Sequence, residues 1–204
     1  MTTITAISEL SNDAASVIGA EAPYRAEIEL LGTAAFLFHR WSVDGVEAKA
    51  KAAKGSKAKK EDDLESYVYR DAEGLLAIPT EYFRMAIVNA AKFKQDPRSP
   101  RKSAMDLFKA ALVPAHEFAG LGVRDWDYVD RRRVTVQKAG ITRCRPALHK
   151  GWRCRVEFEV VLPEYVGPEL LNEVVQMAGR VVGVGDFRPT FGRFQVVRFR
   201  VQPQ

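Results

Sequence analysis

The distribution of apolar residues along the chain predicts β-strands in several places. Between residues 25 and 40, apolar side chains first occupy every second position, which is typical of a strand with one buried face. Gly32 interrupts this run and indicates a bulge or a close backbone approach. Residues 133–145 and 152–162 alternate in the same way, and they predict a hairpin.

Two further segments have the spacing of amphipathic helices. Residues 80–93 place apolar side chains on one face, and Thr80 is of a type that caps helix N-termini. Residues 168–180 repeat this pattern. A final strand is predicted over residues 193–201, with a bulge near Val197 because the alternation changes phase there.

In chain order these elements are strand, helix, strand, strand, helix and strand. This order predicts an α+β fold with a ferredoxin-like (RRM-like) βαββαβ core built on an antiparallel sheet. Residues 1–22 lack a clear period and are predicted to form an N-terminal arm. Residues 23–204 are predicted to form a single domain, with basic loop insertions at 42–65 and 94–130.

The composition of the 204 residues is that of a globular protein, with 47% hydrophobic and 28% charged residues. No run approaches the roughly 18 apolar residues of a membrane span, and the N-terminus lacks the pattern of a secretory signal. Cys144 and Cys154 are the only cysteines, which excludes a disulfide scaffold and, with three scattered histidines, a recognisable zinc motif. We therefore predict a cytoplasmic protein without membrane contact, metal or cofactor.

Charge is concentrated in separate parts of the chain. The formal net charge is only +5, but three stretches are strongly basic, and the first thirty residues carry five acids and one arginine. Basic stretches attract the phosphate backbone of nucleic acids, although each is also compatible with solvated surface. The predicted contacts are Lys49, Lys51, Lys54, Lys57, Lys59 and Lys60 in the first stretch, Lys94, Arg98, Arg101 and Lys102 in the second, and Arg131, Arg132 and Arg133 in the third.

The most informative motif is the glycine-rich loop, residues 183–192, between the second predicted helix and the last strand. Its glycines permit positive φ angles and close approach of backbone amides to a ligand, its arginines can pair with phosphate, and its phenylalanines can stack on bases. No Gly-Lys-Ser/Thr follows, and the helix precedes the loop, so neither a Walker loop nor a dinucleotide fingerprint is present. The predicted contacts here are Gly183, Gly185, Phe187, Arg188, Phe191, Gly192 and the adjoining Arg193.

A connector whose phenylalanines pack into the core is the alternative interpretation of that loop. Two motifs, however, resemble the RAMP superfamily, the ferredoxin-like proteins that form RNA-binding backbone and processing subunits of CRISPR effector complexes. The run VVGVGDFRPTFGRFQV is similar to the C-terminal glycine-rich motif of the family, and LAIPTEYFR at 76–84 is similar to the motif that enters its first helix. The resemblance covers residues 24–202 in element order and adds Arg84 to the predicted nucleic-acid contacts.

The resemblance implies a non-enzymatic protein that binds single-stranded nucleic acid, with RNA favoured over DNA. It also implies its protein partners, either further copies of the chain repeated along the strand or subunits of a CRISPR-type effector. The sequence is similar as well to stand-alone, phage-borne relatives, so a second hypothesis is an interaction or decoy protein that mimics an effector subunit. Sequence preference and stoichiometry stay open.

A third hypothesis is a metal-independent endoribonuclease. RAMP nucleases that process RNA often use a histidine near the first helix as general acid–base, and His39, at the end of the first predicted strand, is the candidate by position. No nucleophile elbow, HExxH motif or carboxylate pair accompanies it. We therefore expect a protein that is not an enzyme, with His39 as the residue that tests this expectation.

Overall fold

A computed structural model describes residues 22–40, 51, 63–136 and 139–203, and it confirms an α+β chain with antiparallel sheets. Most of the predicted arm and of the predicted insertion at 42–65 lie outside the described residues. Five predicted contacts lie outside them as well: Lys49, Lys54, Lys57, Lys59 and Lys60.

The strands are short except for five. Their bounds are β1 (Tyr24–Gly32), β2 (Phe36–Leu37), β3 (Tyr69–Arg70), β4 (Leu76–Pro79), β5 (Gln95–Asp96), β6 (Ser99–Ser103), β7 (Leu112–Pro114), β8 (Phe118–Gly120), β9 (Tyr128–Val136), β10 (Ala139–Leu148), β11 (Arg153–Val160) and β12 (Phe194–Pro203). The described helices are α1 (Thr80–Ala90), α2 (Met105–Ala111) and α3 (Pro168–Val181), with 3-10 turns at Glu65–Tyr67 and Ala91–Phe93.

The largest sheet has the strand order β12-β1-β11-β7, and every neighbouring pair is antiparallel. Alternate residues of β1 and β11 are buried, which confirms the half-buried strands predicted from the sequence. Helices α1 and α3 pack against each other and against β11 and β12. The rings of Phe83 on α1 and Phe194 on β12 meet edge to face, with centroids 5.8 Å apart. The core therefore lies between the two helices and one face of this sheet.

The structure explains two irregularities predicted from the sequence, one at Gly32 on β1 and one near Val197 on β12. Glu29 pairs with Arg198 but Leu30 pairs with Val196, so Val197 is the extra residue of a bulge, as predicted. At Gly32 the close approach is made by a side chain, because an added Cβ atom would lie 2.1 Å from the indole nitrogen of Trp152.

Both predicted helices are confirmed, but the predicted cap is wrong. Thr80 is the first residue inside α1, is buried, and caps nothing with its side chain. Strand β4 runs directly into the helix, and the backbone N–H of Thr80 donates to the carbonyl oxygen of Glu117, 2.9 Å away. A tertiary contact therefore satisfies one helix-start N–H that a cap would otherwise serve.

The predicted hairpin of residues 133–145 with 152–162 is wrong. The first range contains the end of β9 and most of β10, which pair with each other, with Val136 opposite Ala139. Strand β10 then pairs with β2, whereas β11 pairs with β1 and β7. The error arises because period-two alternation continues through a chain reversal without a change of phase.

The segment 94–130, predicted to be an insertion, contains β5, β6, α2, β7 and β8, and it supplies β7 to the largest sheet. A turn at Asp71–Gly74 connects β3 to β4, since the N–H of Gly74 donates to the carbonyl of Asp71, 3.0 Å away. Within the described ranges, no helix combines the length and apolar character needed to cross a membrane.

Candidate nucleic-acid interface

The glycine-rich loop is fixed to the chain around β2 by backbone hydrogen bonds. The N–H of Gly192 donates to the carbonyl oxygen of Ala35 at 2.8 Å, and that of Asp186 donates to Leu37 at 3.1 Å. A third bond, from the N–H of Val184 to the carbonyl of Gly192 at 2.9 Å, closes the loop at its base. The loop is therefore preorganised by the fold.

The glycines of the loop are required by both conformation and space. Gly183, Gly185 and Gly192 have φ angles of 70°, 80° and 71°, a region that side chains disfavour. An added Cβ atom would lie 2.6 Å from the ring of Phe36 at Gly185 and 1.6 Å from the carbonyl oxygen of Val184 at Gly192. The glycine pattern thus reports how closely the loop packs on itself and on β2.

Two arginines of the β9–β10 hairpin lie over the two phenylalanines of the loop. The guanidinium carbon of Arg132 is 4.5 Å from the ring centroid of Phe191 and 5.7 Å from that of Phe187, and Arg145 is 4.7 Å from Phe187. We call these four residues the arginine–aromatic cluster. Phe187 is 37% exposed, so part of its ring remains accessible next to a cation.

The two arginines of the cluster differ in their roles. Arg145 is 4% exposed and its Nε donates to a carboxylate oxygen of Asp186 at 2.6 Å, so it joins the hairpin to the loop. Arg132 donates from Nε to both carboxylate oxygens of Asp130, at 2.9 and 2.8 Å, while its side chain stays 42% exposed. Arg132 is therefore the member that can still reach a ligand.

A third arginine of the hairpin contacts the candidate catalytic histidine. Arg143 lies directly opposite Arg132 in the β9–β10 register, and its Nη1 is 2.9 Å from Nε2 of His39. A guanidinium can only donate, so Nε2 accepts and the imidazole proton sits on Nδ1. The ring of Tyr67 lies 5.1 Å from that of His39. In this arrangement Nε2 carries no proton to give to a leaving group.

A cleft of about 420 Å³ lies between α1 and the glycine-rich loop, and we call it the α1–loop cleft. It brings together the two motifs that resemble the RAMP superfamily, since Ile78, Pro79 and Tyr82 face Gly185 and Asp186 across it. Its aromatic lining comprises Phe36, Phe38, Tyr69 and Tyr82, and its polar lining comprises His39, Asn89, Asp186 and Arg188.

Two tyrosines in the cleft are coupled to each other and to nearby arginines. The hydroxyls of Tyr69 and Tyr82 are 3.1 Å apart, and the guanidinium of Arg40 lies 5.1 Å from the ring centroid of Tyr69. Burial and the hydrogen bond with Tyr69 raise the pKa of Tyr82, whereas the charges of Arg188 and Arg40 act to lower it. Both arginines therefore act electrostatically on the cleft.

Arg84, predicted from the family resemblance, is placed away from this region. Its Nε donates to the carbonyl of Leu112 at 2.8 Å, its Nη2 to that of Lys109 at 2.6 Å, and its Nη1 to the carboxylate of Glu81 at 2.8 Å. These bonds tie α1 to the end of α2 and to β7. All three guanidinium nitrogens are thus used within the protein.

The second basic stretch is partly neutralised. Lys94 pairs with Glu173 on α3, and Arg98 donates to both carboxylate oxygens of Asp96 at 3.0 and 2.8 Å. The other predicted basic contacts are exposed in the described part of the chain: Lys51, Arg101, Lys102, Arg131, Arg133, Arg188 and Arg193.

The outward face of the largest sheet has a different character. Several charged residues of β1, β11 and β12 form ion pairs on this face, and none of the outward residues of β1 and β11 is aromatic. The pairs are Arg25–Glu159 at 2.9 Å, Arg198–Glu29 at 3.3 Å and Arg155–Glu27 at 3.8 Å. This face lacks the stacking side chains with which flat sheets bind unstacked bases.

The sequence interpretation missed Arg143 and Arg145 as site residues and did not identify the cleft. A partial signal existed, because Arg143 and Arg145 alternate along one predicted strand and so share a face. Only the β9–β10 register shows that Arg132 lies on the same face. No such signal existed for Tyr69 and Tyr82, which meet His39 and Asp186 only through tertiary packing.

No family model and no curated protein matches the chain. Among solved structures, one chain of the cryo-EM structure of the type III-B Cmr-beta bound to cognate target RNA matches with a TM-score of 0.53 and 10% sequence identity. The match covers 89% of the present chain but only 61% of that chain. At this level of identity the likeness concerns the fold alone.

Proposed function

We propose that the chain is a RAMP-like protein that binds single-stranded nucleic acid, RNA in preference to DNA, through the glycine-rich loop and the β9–β10 hairpin. Its core is ferredoxin-like in this proposal. The chain order β1, α1, β7, β11, α3 and β12 supports that assignment, because it reproduces βαββαβ with the short β7 in the place expected for residues 133–145.

The arginine–aromatic cluster is the observation that carries the proposal. Binding of single strands combines cations that contact phosphates with aromatic rings on which bases stack. Here Arg132 and the accessible ring of Phe187 supply both groups within one surface. The outward face of the largest sheet offers no equivalent, since three of its arginines form ion pairs with glutamates and its β1 and β11 residues are not aromatic.

The likeness to a chain of Cmr-beta bound to target RNA supports RNA as the favoured ligand. This structural likeness agrees with the resemblance of the glycine-rich loop to the RAMP superfamily, which was inferred independently from the amino-acid sequence. Partners of CRISPR-effector type belong to the same proposal.

The test is fluorescence anisotropy with a labelled single strand, prepared as RNA and as DNA of the same sequence, between about 50 and 200 mM salt. We expect Arg132→Gln to weaken binding and to reduce the slope of log K against log salt by about one. Phe187→Ala removes a stacking platform and should cost about 1–3 kcal/mol of binding free energy.

Arg198→Gln is the matched control. Like Arg132, Arg198 lies on a strand, is half exposed and pairs with an acid, but it belongs to the outward face of the largest sheet. Absence of salt-dependent binding to either strand would overturn the proposal, as would equal losses in Arg132→Gln and Arg198→Gln. Capture of a host protein by a chain that binds no strand would instead support the decoy hypothesis.

A further inference from the structure

We propose that the α1–loop cleft is a binding site for a single unstacked nucleotide unit, with the base between the aromatic walls and the phosphate at Arg188. This inference rests on the proposed function and assigns one subsite within it. The nucleotide can be part of the bound strand or a free nucleoside monophosphate, and the experiment below distinguishes these sources.

The size of the cleft fits a ligand of this class. Its volume of about 420 Å³ falls within the roughly 300–1,000 Å³ of small-molecule sites. Two of its lining residues are exposed and mark its rim, Met85 on α1, at 37% exposure, and Arg188 on the loop. A group that enters between them reaches the buried rings of Phe36 and Phe38.

The walls suit a flat, partly polar group. Tyr69 meets Tyr82, and Phe36 meets Phe38, in edge-to-face pairs with interplanar angles of 89° and 81°. Such pairs present flat apolar surface on which a base can stack. The tyrosine hydroxyls and the amide of Asn89 add donors and acceptors, which a base edge uses and a purely apolar ligand does not.

The charge of the cleft favours an anionic group. Asp186 is the acidic lining residue, and its carboxylate is already bound by Nε of Arg145 at 2.6 Å. Arg188 at the rim and Arg40 beside Tyr69 leave the local balance positive. Among the described side chains, no group of three or more His, Cys, Asp and Glu residues is placed to hold a metal ion. A phosphate therefore complements this lining better than a cation.

The cleft and the arginine–aromatic cluster adjoin along the loop. Asp186 lines the cleft, and the next residue, Phe187, faces Arg132 and Arg145. A strand that crosses the loop can therefore stack one base on Phe187 while an adjacent base enters the cleft. The two subsites share a wall that the backbone bonds to Ala35 and Leu37 hold in place.

The experiment uses single strands that carry 4-thiouridine at one position, irradiated on the full chain and analysed by mass spectrometry. We expect cross-links to Tyr69 or Tyr82 from one position of the strand. Met85→Trp fills the rim of the cleft and should abolish these cross-links and weaken strand binding roughly tenfold. Met105→Trp is the matched control, since Met105 is a helical methionine of nearly the same exposure, 36%, and does not line the cleft.

In the second part of the experiment, free nucleoside 5′-monophosphates are titrated into the protein and their binding is measured by calorimetry. Binding to the wild type but not to Met85→Trp supports the cleft even if no strand binds, in which case only the proposed function fails. If strands bind but cross-link only outside the cleft, and monophosphates do not bind, the cleft proposal is overturned and the proposed function stands. If neither strands nor monophosphates bind, both proposals fail.

Discussion

Gly192 shows how a single residue determines the shape of the glycine-rich loop. Its φ of 71° belongs to the left-handed region, and its N–H and carbonyl both form backbone bonds, to Ala35 and from Val184. An added methyl group would overlap the carbonyl oxygen of Val184 at 1.6 Å. Because both the cleft and the cluster use this loop as a wall, Gly192 sets the geometry of both.

We expect Gly192→Ala to lower the free energy of unfolding by about 3 kcal/mol or more, because steric overlap adds to the cost of the backbone conformation. Gly74→Ala is the control. Gly74 has a similar φ of 76°, but no atom lies within 4 Å of the added Cβ, so a loss of only about 1–2 kcal/mol is expected. Urea denaturation followed by circular dichroism measures both, and equal losses would contradict the steric argument.

His39 carries the second prediction at this scale. Because a guanidinium can only donate, Nε2 of His39 accepts from Arg143 and offers no proton from that nitrogen. We expect labelled RNA to remain the same length with the wild type and with His39→Ala, on denaturing gels. Cleavage by the wild type that disappears in His39→Ala, but persists in His149→Ala, would establish the endoribonuclease alternative.

Strand β11 and strand β7 illustrate what the sequence could and could not predict about elements. Alternation over eight residues identifies β11 and its buried face without reference to a partner. Strand β7 has three residues, too few for a period, and it exists because β11 offers it an edge. The pairing of β10 with β2, about 110 residues away in the chain, is likewise a tertiary contact that alternation alone does not encode.

The candidate site likewise has parts that the sequence predicts and parts that depend on tertiary contacts. The glycine-rich loop could be recognised because its residues are contiguous and their conformational needs are visible in the sequence. The cleft could not, because it forms only when the loop, α1 and the segment around Phe36 and Tyr69 come together. Arg145 could be predicted in part. Its alternation with Arg143 predicts which face of the strand it occupies, but not its bond with Asp186.

The β5–β6 hairpin gives a pH-dependent prediction. Hydrogen bonds from Arg98 hold the pKa of Asp96 at about 2, whereas an aspartate in an unfolded chain titrates near 3.9. Because the folded pKa is the lower one, the pair stabilises the protein above about pH 4, and this contribution is lost as the pH falls from about 4 to 2.

Asp96→Asn is therefore expected to lower Tm at neutral pH by an amount that shrinks as the pH falls through that window. Thermal denaturation from pH 7 to pH 2 measures the difference. Arg98→Gln removes the other partner and should give the same profile. A difference from the wild type that stays constant over this range would show that the bond does not depend on the charge of Asp96.

Charge is arranged unevenly over the whole molecule. The outward face of the largest sheet carries five arginines on β1, β11 and β12 against four glutamates, and three of those arginines form ion pairs. The β9–β10 hairpin and the glycine-rich loop with the adjoining Arg193 instead carry seven arginines against Asp130 and Asp186 in their described residues. In the proposed function a polyanion therefore binds at the hairpin and the loop, and the outward face of the largest sheet is free for other contacts.

This asymmetry bears on the prediction that copies of the chain assemble along a strand. We expect the number of chains per strand to increase stepwise with strand length, because each copy occupies a fixed number of nucleotides. Light scattering coupled to size-exclusion chromatography measures the mass of each complex. One chain per nucleic-acid strand at every length would contradict repeated assembly. Heparin of matched length is the control for binding by charge alone, because it carries negative charge but no bases.

Trp152 gives the chain a built-in optical probe. Trp152 is 7% exposed, and its indole fills the space left by Gly32. The indole N–H donates to the carbonyl of Ala34, and the next residue, Ala35, accepts the backbone bond from Gly192. An indole in such surroundings emits at shorter wavelength than one in water. The chain has two further tryptophans, Trp41 and Trp126. In a variant with both replaced by phenylalanine, any event that loosens the loop from Ala35 should shift the emission of Trp152 to the red.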